Sequence, residues 1–195
     1  MFTLVVTEGL LEVTAGEKLL DVLGIDRTLT RFIPKGGWEA FWRDAPKYNT
    51  AARHSGPVLG LADLEQEPCP SGLIGKHLPH GREAAFVLRI AERMLESWLL
   101  ADRKALAGFM HVAAKHIPED PEREENPKLA LVNAARHSRR REVRDDIVPE
   151  EGTAGIVGRG YTSRLGEFVR DIWQPLNAQN RSQSLRRAIA SIQAA

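Results

Sequence analysis

Phe2-Thr3-Leu4-Val5-Val6-Thr7-Glu8-Gly9 is an apolar, β-branched run that stops at an acid and a glycine. Such a run reads as a buried strand. Beyond it Leu10, Leu11, Leu19, Leu20 and Leu23 recur at the spacing of an amphipathic helix, so the chain opens with a βα unit. The pattern then repeats. Thr30-Arg31-Phe32-Ile33-Pro34 is a short strand, Lys35-Gly36-Gly37 a turn, and Trp38 to Ala52 a helix whose end is marked by Gly56-Pro57. Val58-Leu59-Gly60-Leu61-Ala62 is a third apolar strand, ending at Asp63-Leu64-Glu65 and followed by a Pro/Gly-rich loop to Gly81. A fourth strand is expected from Ala84 to Ile90, running into a helix from Ala91 to about Phe109 whose buried side carries Met94, Leu95, Trp98 and Leu99. Strands alternating with helices predict a Rossmann-like α/β fold, a mostly parallel four-stranded sheet flanked by helices and joined by right-handed crossovers.

After Ile117 the character changes. Pro118 to Glu125 is charged, punctuated by proline and without periodicity. It reads as a surface linker at residues 118–126, between an α/β domain at 1–117 and a helical C-terminal extension at 127–195 packed on it. In that extension Lys128 to Ser138, Thr153 to Trp173 and Ser182 to Gln193 have helical spacing, with Asn126-Pro127 and Ser182 as helix starts.

Composition narrows the class. A chain of 195 residues, 43% hydrophobic and 27% charged, is long enough to bury its own core. Its longest apolar runs fall far short of the roughly 20 residues of a membrane span, so no membrane partner is expected. Glu8 and Glu12 stand where a signal peptide is apolar, which points to the cytoplasm. The single cysteine, Cys69 in Pro-Cys-Pro, excludes an internal disulfide and a multi-cysteine zinc site, and reads as a loop thiol. The net charge of +1 hides an asymmetry: residues 1–135 carry 16 Lys/Arg against 19 Asp/Glu, residues 136–195 carry 11 against 7. The basic end includes Arg136, Arg139, Arg140, Arg141 and Arg144 within one short stretch. That stretch is either a solvated helix end or a patch in which Arg139, Arg140 and Arg141 track the phosphates of nucleic acid.

In open α/β sheets ligands bind outside the carboxyl ends of the strands. Here those ends are acidic. Glu8 follows the first strand, Asp63 and Glu65 the third, and Glu12 lies one helical turn beyond Glu8. Convergent carboxylates with no cysteine and no tight histidine cluster suit Mg²⁺ or Mn²⁺ rather than zinc. Taken singly, Glu8 and Glu12 also fit helix-start acids, and Asp63 fits a helix cap. Gly36-Gly37 before a helix reads first as a tight turn and second as a phosphate cradle. His77 with His80, and His111 with His116, lack a third ligand at useful spacing and are expected to face solvent.

These residues carry a family resemblance. A strand ending in Glu-Gly and a later strand ending in Asp-x-Asp or Asp-x-Glu is the TOPRIM signature, matched here by Val5-Val6-Thr7-Glu8-Gly9 and Ala62-Asp63-Leu64-Glu65. The chain resembles the TOPRIM domain of overcoming-lysogenization-defect nucleases in the second glutamate, Glu12, and in Lys35-Gly36-Gly37 after the second strand. It is most similar to a family of short bacterial TOPRIM-like proteins, whose hallmark stands here as Glu96-Ser97-Trp98-Leu99-Leu100-Ala101-Asp102. Looser matches are Asn126-Pro127-Lys128, Gly160-Tyr161-Thr162 and Arg181-Ser182-Gln183-Ser184-Leu185. Glu65 replaces the commoner aspartate, and Thr7 stands where valine is usual.

The resemblance implies a Mg²⁺-dependent phosphodiester-processing protein, a nuclease of a bacterial defence or DNA-processing system. Glu8, Asp63, Glu65 and Glu96 would be metal ligands, and Glu8 and Glu12 catalytic groups. Glu96 also fits a solvated stripe with Glu92, paired to Arg89, Arg93 or Arg103. Lys35 is a candidate nucleic-acid contact, and Lys35 and Lys128 are candidates for the lysine that the nucleases supply from their C-terminal region. The alternative is a catalytically weak partner of a separately encoded ATPase, since this chain has no Gly-x-x-x-x-Gly-Lys-Ser/Thr motif.

Overall fold

In the computed structural model, which describes Met1–Ala195, the four apolar runs are parallel strands of one sheet. They are β1 (Leu4–Thr7), β2 (Arg31–Pro34), β3 (Val58–Asp63) and β4 (Phe86–Ala91), in the order β2-β1-β3-β4. Thr7 sits opposite Pro34 on one side and Leu61 on the other, and Asp63 sits opposite Ala91. Successive side chains of a strand point to opposite faces, so each face needs its own cover. On one face Val5 and Leu61 meet Gly16 of helix α1 (Leu10–Val22), where an added Cβ would lie 3.4 Å and 3.3 Å from their methyl groups. On the other, Val6, Val58, Ala62 and Leu88 pack with Phe41, Trp42 and Ala45 of helix α2 (Trp38–Ser55). Each large apolar side chain removed from water there contributes about 1.5–3 kcal/mol. Gly60 lets this second layer close, because a Cβ at that position would stand 2.8 Å from Leu88 and 2.9 Å from Phe86.

The chain leaves β1 for β2 on one side and returns to β3 on the other. The strand order therefore reverses between β1 and β3, where an open α/β sheet presents its ligand crevice.

Two compact units contain these elements: Met1–Glu92 with Ser184–Ala195, and Arg93–Gln183. In the first, residues expected as loop form helix α3 (Pro70–His77). Its proline and glycines hide a good start signal: Cys69 Sγ accepts the Gly72 N–H at 3.3 Å, and Pro70 fills a position that needs no donor.

The second unit holds α4 (Glu96–Ala101), α5 (Arg103–Phe109), α6 (Pro127–Arg136), α7 (Arg141–Ile147), α8 (Tyr161–Asp171) and the short α9 (Pro175–Ala178). The single helix expected over 91–109 is broken twice, by Arg93 at φ +60 and by Asp102 at ψ 56. The stretch 118–126 is not a bare linker. Pro121 is buried, and the Glu122 carboxylate accepts the Ser182 hydroxyl at 2.7 Å and the Gln183 N–H at 3.0 Å. The units divide at Glu92/Arg93 and Gln183/Ser184 rather than at 117 and 126. Composition misses this because an acid spent on a helix cap looks like a solvated one. The helix expected from Thr153 begins only at Tyr161, after a glycine-rich run, and α7 was not foreseen.

The last helix, α10 (Gln183–Gln193), belongs from Ser184 onward to the first unit. There the Glu92 N–H donates to Ser184 Oγ at 3.3 Å, and Arg89 donates to Ser191 Oγ at 2.8 Å. No helix is long and apolar enough to cross a membrane.

Candidate functional site

Glu8 and Asp63 end the two strands that flank the switch point, and both are nearly buried, at 7% and 5% exposure. The register accounts for their meeting. With Thr7 opposite Leu61, the residue after β1 faces the end of β3, and Glu8 Oε1 accepts the Asp63 N–H at 2.8 Å. The Asp63 carbonyl in turn accepts the Trp38 indole N–H at 3.2 Å. Asp63 is thus held through its backbone on both sides, and its carboxylate is carried at a fixed point of the sheet edge.

The surrounding turns are tied to Glu8 as well. Gly36 and Gly37, at φ +79 and +131, both donate their N–H to the Glu8 carbonyl, at 2.8 and 2.9 Å. Only glycine adopts this pair of conformations cheaply. The turn closes on protein, which is the first of the two readings its sequence allows. Thr7, fully buried, gives its hydroxyl to the Gly9 carbonyl at 2.9 Å, so the polar atom at this departure from the family pattern is satisfied locally. Glu12 stands in the first turn of α1, and a Cβ on Gly9 would lie 2.9 Å from its Oε2. Its carboxylate therefore folds back over the helix start. Glu65 is half-buried at φ +52, in a turn closed by the Glu67 N–H on the Leu64 carbonyl at 3.1 Å.

Lys35 is committed. Its ammonium lies 2.5 Å from Asp44 and 5.6 Å from the centre of the Tyr48 ring. Hydrogen bonds from Lys35 and Lys47 hold the Asp44 carboxyl below the usual carboxylate range, and Asp44 raises Lys35. His77 is half-buried. Its ring packs 4.8 Å from Trp42 and 5.9 Å from Trp38, its Nε2 is buried without a hydrogen-bond partner, and burial lowers its basicity.

Glu96 belongs to the second unit and is 3% exposed, not part of a solvated stripe. It accepts the Tyr161 hydroxyl at 2.8 Å and lies 3.7 Å from Lys128 Nζ. Three stretches of the family resemblance thus meet: the acid of the Trp-Leu-Leu hallmark, the lysine of Asn-Pro-Lys and the tyrosine of Gly-Tyr-Thr. Tyr161 went unassigned in the sequence, and its place in that tripeptide was the only signal for it. Asp102, at the other end of the hallmark, accepts the Gln174 N–H at 2.8 Å, and burial raises its pKa. Trp98 between them is core, as expected.

Of the basic stretch, Arg140 pairs with Glu142 at 3.8 Å and Arg141 with Asp145 at 3.2 Å, while Arg139 makes no ion pair.

No group of three or more His, Cys, Asp or Glu side chains stands ready as a cation cage. The Glu8–Asp63 pair still fits Mg²⁺ by its chemistry. That ion takes hard oxygen donors, keeps several waters, and is bound by one or two carboxylates plus substrate phosphates. Comparison of the chain with family models, with curated proteins and with solved structures gave no match.

Proposed function

We propose that this protein is a Mg²⁺- or Mn²⁺-dependent phosphodiester-processing protein, a nuclease acting on DNA, with Glu8 and Asp63 at the centre of its metal site. One observation carries the reading: two buried carboxylates at the carboxyl ends of adjacent parallel strands, at the point where the strand order reverses. The cation bound there polarises a phosphodiester and lowers the pKa of an attacking water. Asp63 and Glu8 hold it, with Glu65 on the same β3 turn and Glu12 on the first turn of α1 as neighbouring acids.

Two assays test this. Titrating Mg²⁺ or Mn²⁺ should raise the melting temperature of the wild type and leave Asp63→Asn unmoved, because only a folded-state ligand stabilises. Supercoiled plasmid should be nicked by the wild type with metal and not by Glu8→Gln. Equal melting shifts in both proteins reject the site, and identical plasmid behaviour rejects the nuclease.

A second reading has its own support. The phosphate-binding groups nearest the acids are already occupied, Lys35 by Asp44 and the Gly36 and Gly37 amides by the Glu8 carbonyl. This favours a catalytically weak subunit that works with a separately encoded ATPase. Under that reading, cutting appears only when the ATPase is added.

A further inference from the structure

The turn after α6 and the segment after α5 form one cationic surface within the second unit. His137, next after α6, stacks on His116, with ring centroids 3.9 Å apart and planes 19° from parallel. The backbone beneath them is fixed. Buried Ser138 donates its hydroxyl to the Met110 carbonyl at 2.6 Å and accepts the Arg140 N–H at 3.1 Å, and the Arg139 N–H donates to the His111 carbonyl at 3.2 Å. Lys115, Arg136 and Arg139 are exposed on this framework and make no ion pair.

Each ring has a basic neighbour in the chain. The short turn that ends at His116 supplies Lys115, and α6 supplies Arg136. From α5 comes Arg103, bonded to the Ile117 carbonyl at 3.0 Å and 3.6 Å from Glu119. Desolvation, followed by the nearby His137 and Lys115, holds His116 below the usual imidazole range. An imidazole stacked on another ring beside a cation resists taking up a proton until a negative partner arrives.

We propose that this face captures the phosphate backbone of nucleic acid with uptake of a proton by His116, whose ring stacks on His137. The proposal deepens the reading above and rests on it for the choice of nucleic acid as the polyanion. It moves the centre of the contact from Arg140 and Arg141, which are paired, to Arg136, Arg139 and Lys115, which are not. The sign follows from linkage. An imidazole whose pKa is higher in the complex than in the free protein binds a proton on association, so affinity rises as pH falls through the range around 6.5.

The test is fluorescence anisotropy with a short duplex in EDTA, on the Glu8→Gln background, so that neither metal nor cutting contributes. From pH 7.5 to 5.5 the dissociation constant should fall by about tenfold, the scale of one proton taken up over part of that span. The double variant His116→Asn/His137→Asn should bind with nearly one affinity at both pH values. Arg136→Gln/Arg139→Gln should weaken binding at both, and flatten the plot of log K against log salt by about 1.8. Affinity independent of pH in the parent protein overturns the proposal, as does a pH response that survives loss of both histidines or an unchanged salt slope. Vesicles containing anionic lipid serve as a competing polyanion, and binding them in place of the duplex also overturns it. Pure failure to cut plasmid, with this binding intact, breaks the nuclease reading and leaves the surface standing.

Discussion

Glu8 in the first unit and Glu96 in the second are buried to a similar degree, yet they are held by different kinds of donor. Glu8 accepts a backbone N–H whose position is set by the β1–β3 ladder, and Glu96 accepts a tyrosine hydroxyl and stands near an ammonium. A neutral amide orients a carboxylate without cancelling its charge. Lys128 at 3.7 Å cancels much of the charge on Glu96. The contrast separates two acids that look equivalent as letters: the first is oriented by the backbone of a neighbouring strand, and the second by side chains, one of them a cation.

The largest expected effect comes from the side-chain donor. Tyr161→Phe leaves the Glu96 carboxylate buried without its hydroxyl and should cost about 1–3 kcal/mol in urea unfolding. An unchanged midpoint would mean that Glu96 is satisfied some other way, and the contrast would fail. A smaller loss is expected for Glu8→Gln without metal, about 1 kcal/mol or less, because the amide oxygen still accepts the Asp63 N–H. A collapse of the fold in that variant would show that the charge of Glu8, rather than its shape, holds β1 to β3.

The finest comparison uses pH. Burial raises Asp102 above its ordinary value of 3.8, so its folded-state ionisation opposes stability, increasingly as pH rises from about that value through its folded pKa. Asp44 is lowered by Lys35, so it contributes stability above about 3.8 that is lost as pH falls. Denaturation curves between pH 3 and 6 should therefore diverge. Asp102→Asn gains on the wild type towards pH 6, and Asp44→Asn loses least at the acid end. An Asp102→Asn protein that loses ground to wild type between pH 3 and pH 6 contradicts the assigned direction.

The sheet was legible because each strand is a local apolar run bounded by an acid or by glycine, and the acids at its rim were legible by the same bounds. What escaped was non-local. Tyr161 is 65 residues from the acid it serves, and no periodicity links them. His116 and His137 come from separate turns, and only a folded backbone stacks them. Glu122 looked like part of a charged linker, although it closes the start of α10. Lys35 looked like a phosphate contact because its partner, Asp44, lies well inside the following helix.

The return of Ser184–Ala195 to the first unit sets an order of events during synthesis. A ribosome releases Met1–Glu92 early, with all four strands in hand, but the residues that complete that unit follow the whole of Arg93–Gln183. Until Ser184–Ala195 emerges, the part of that unit it joins stays open to water and to chaperones. The unit that begins first is therefore finished last.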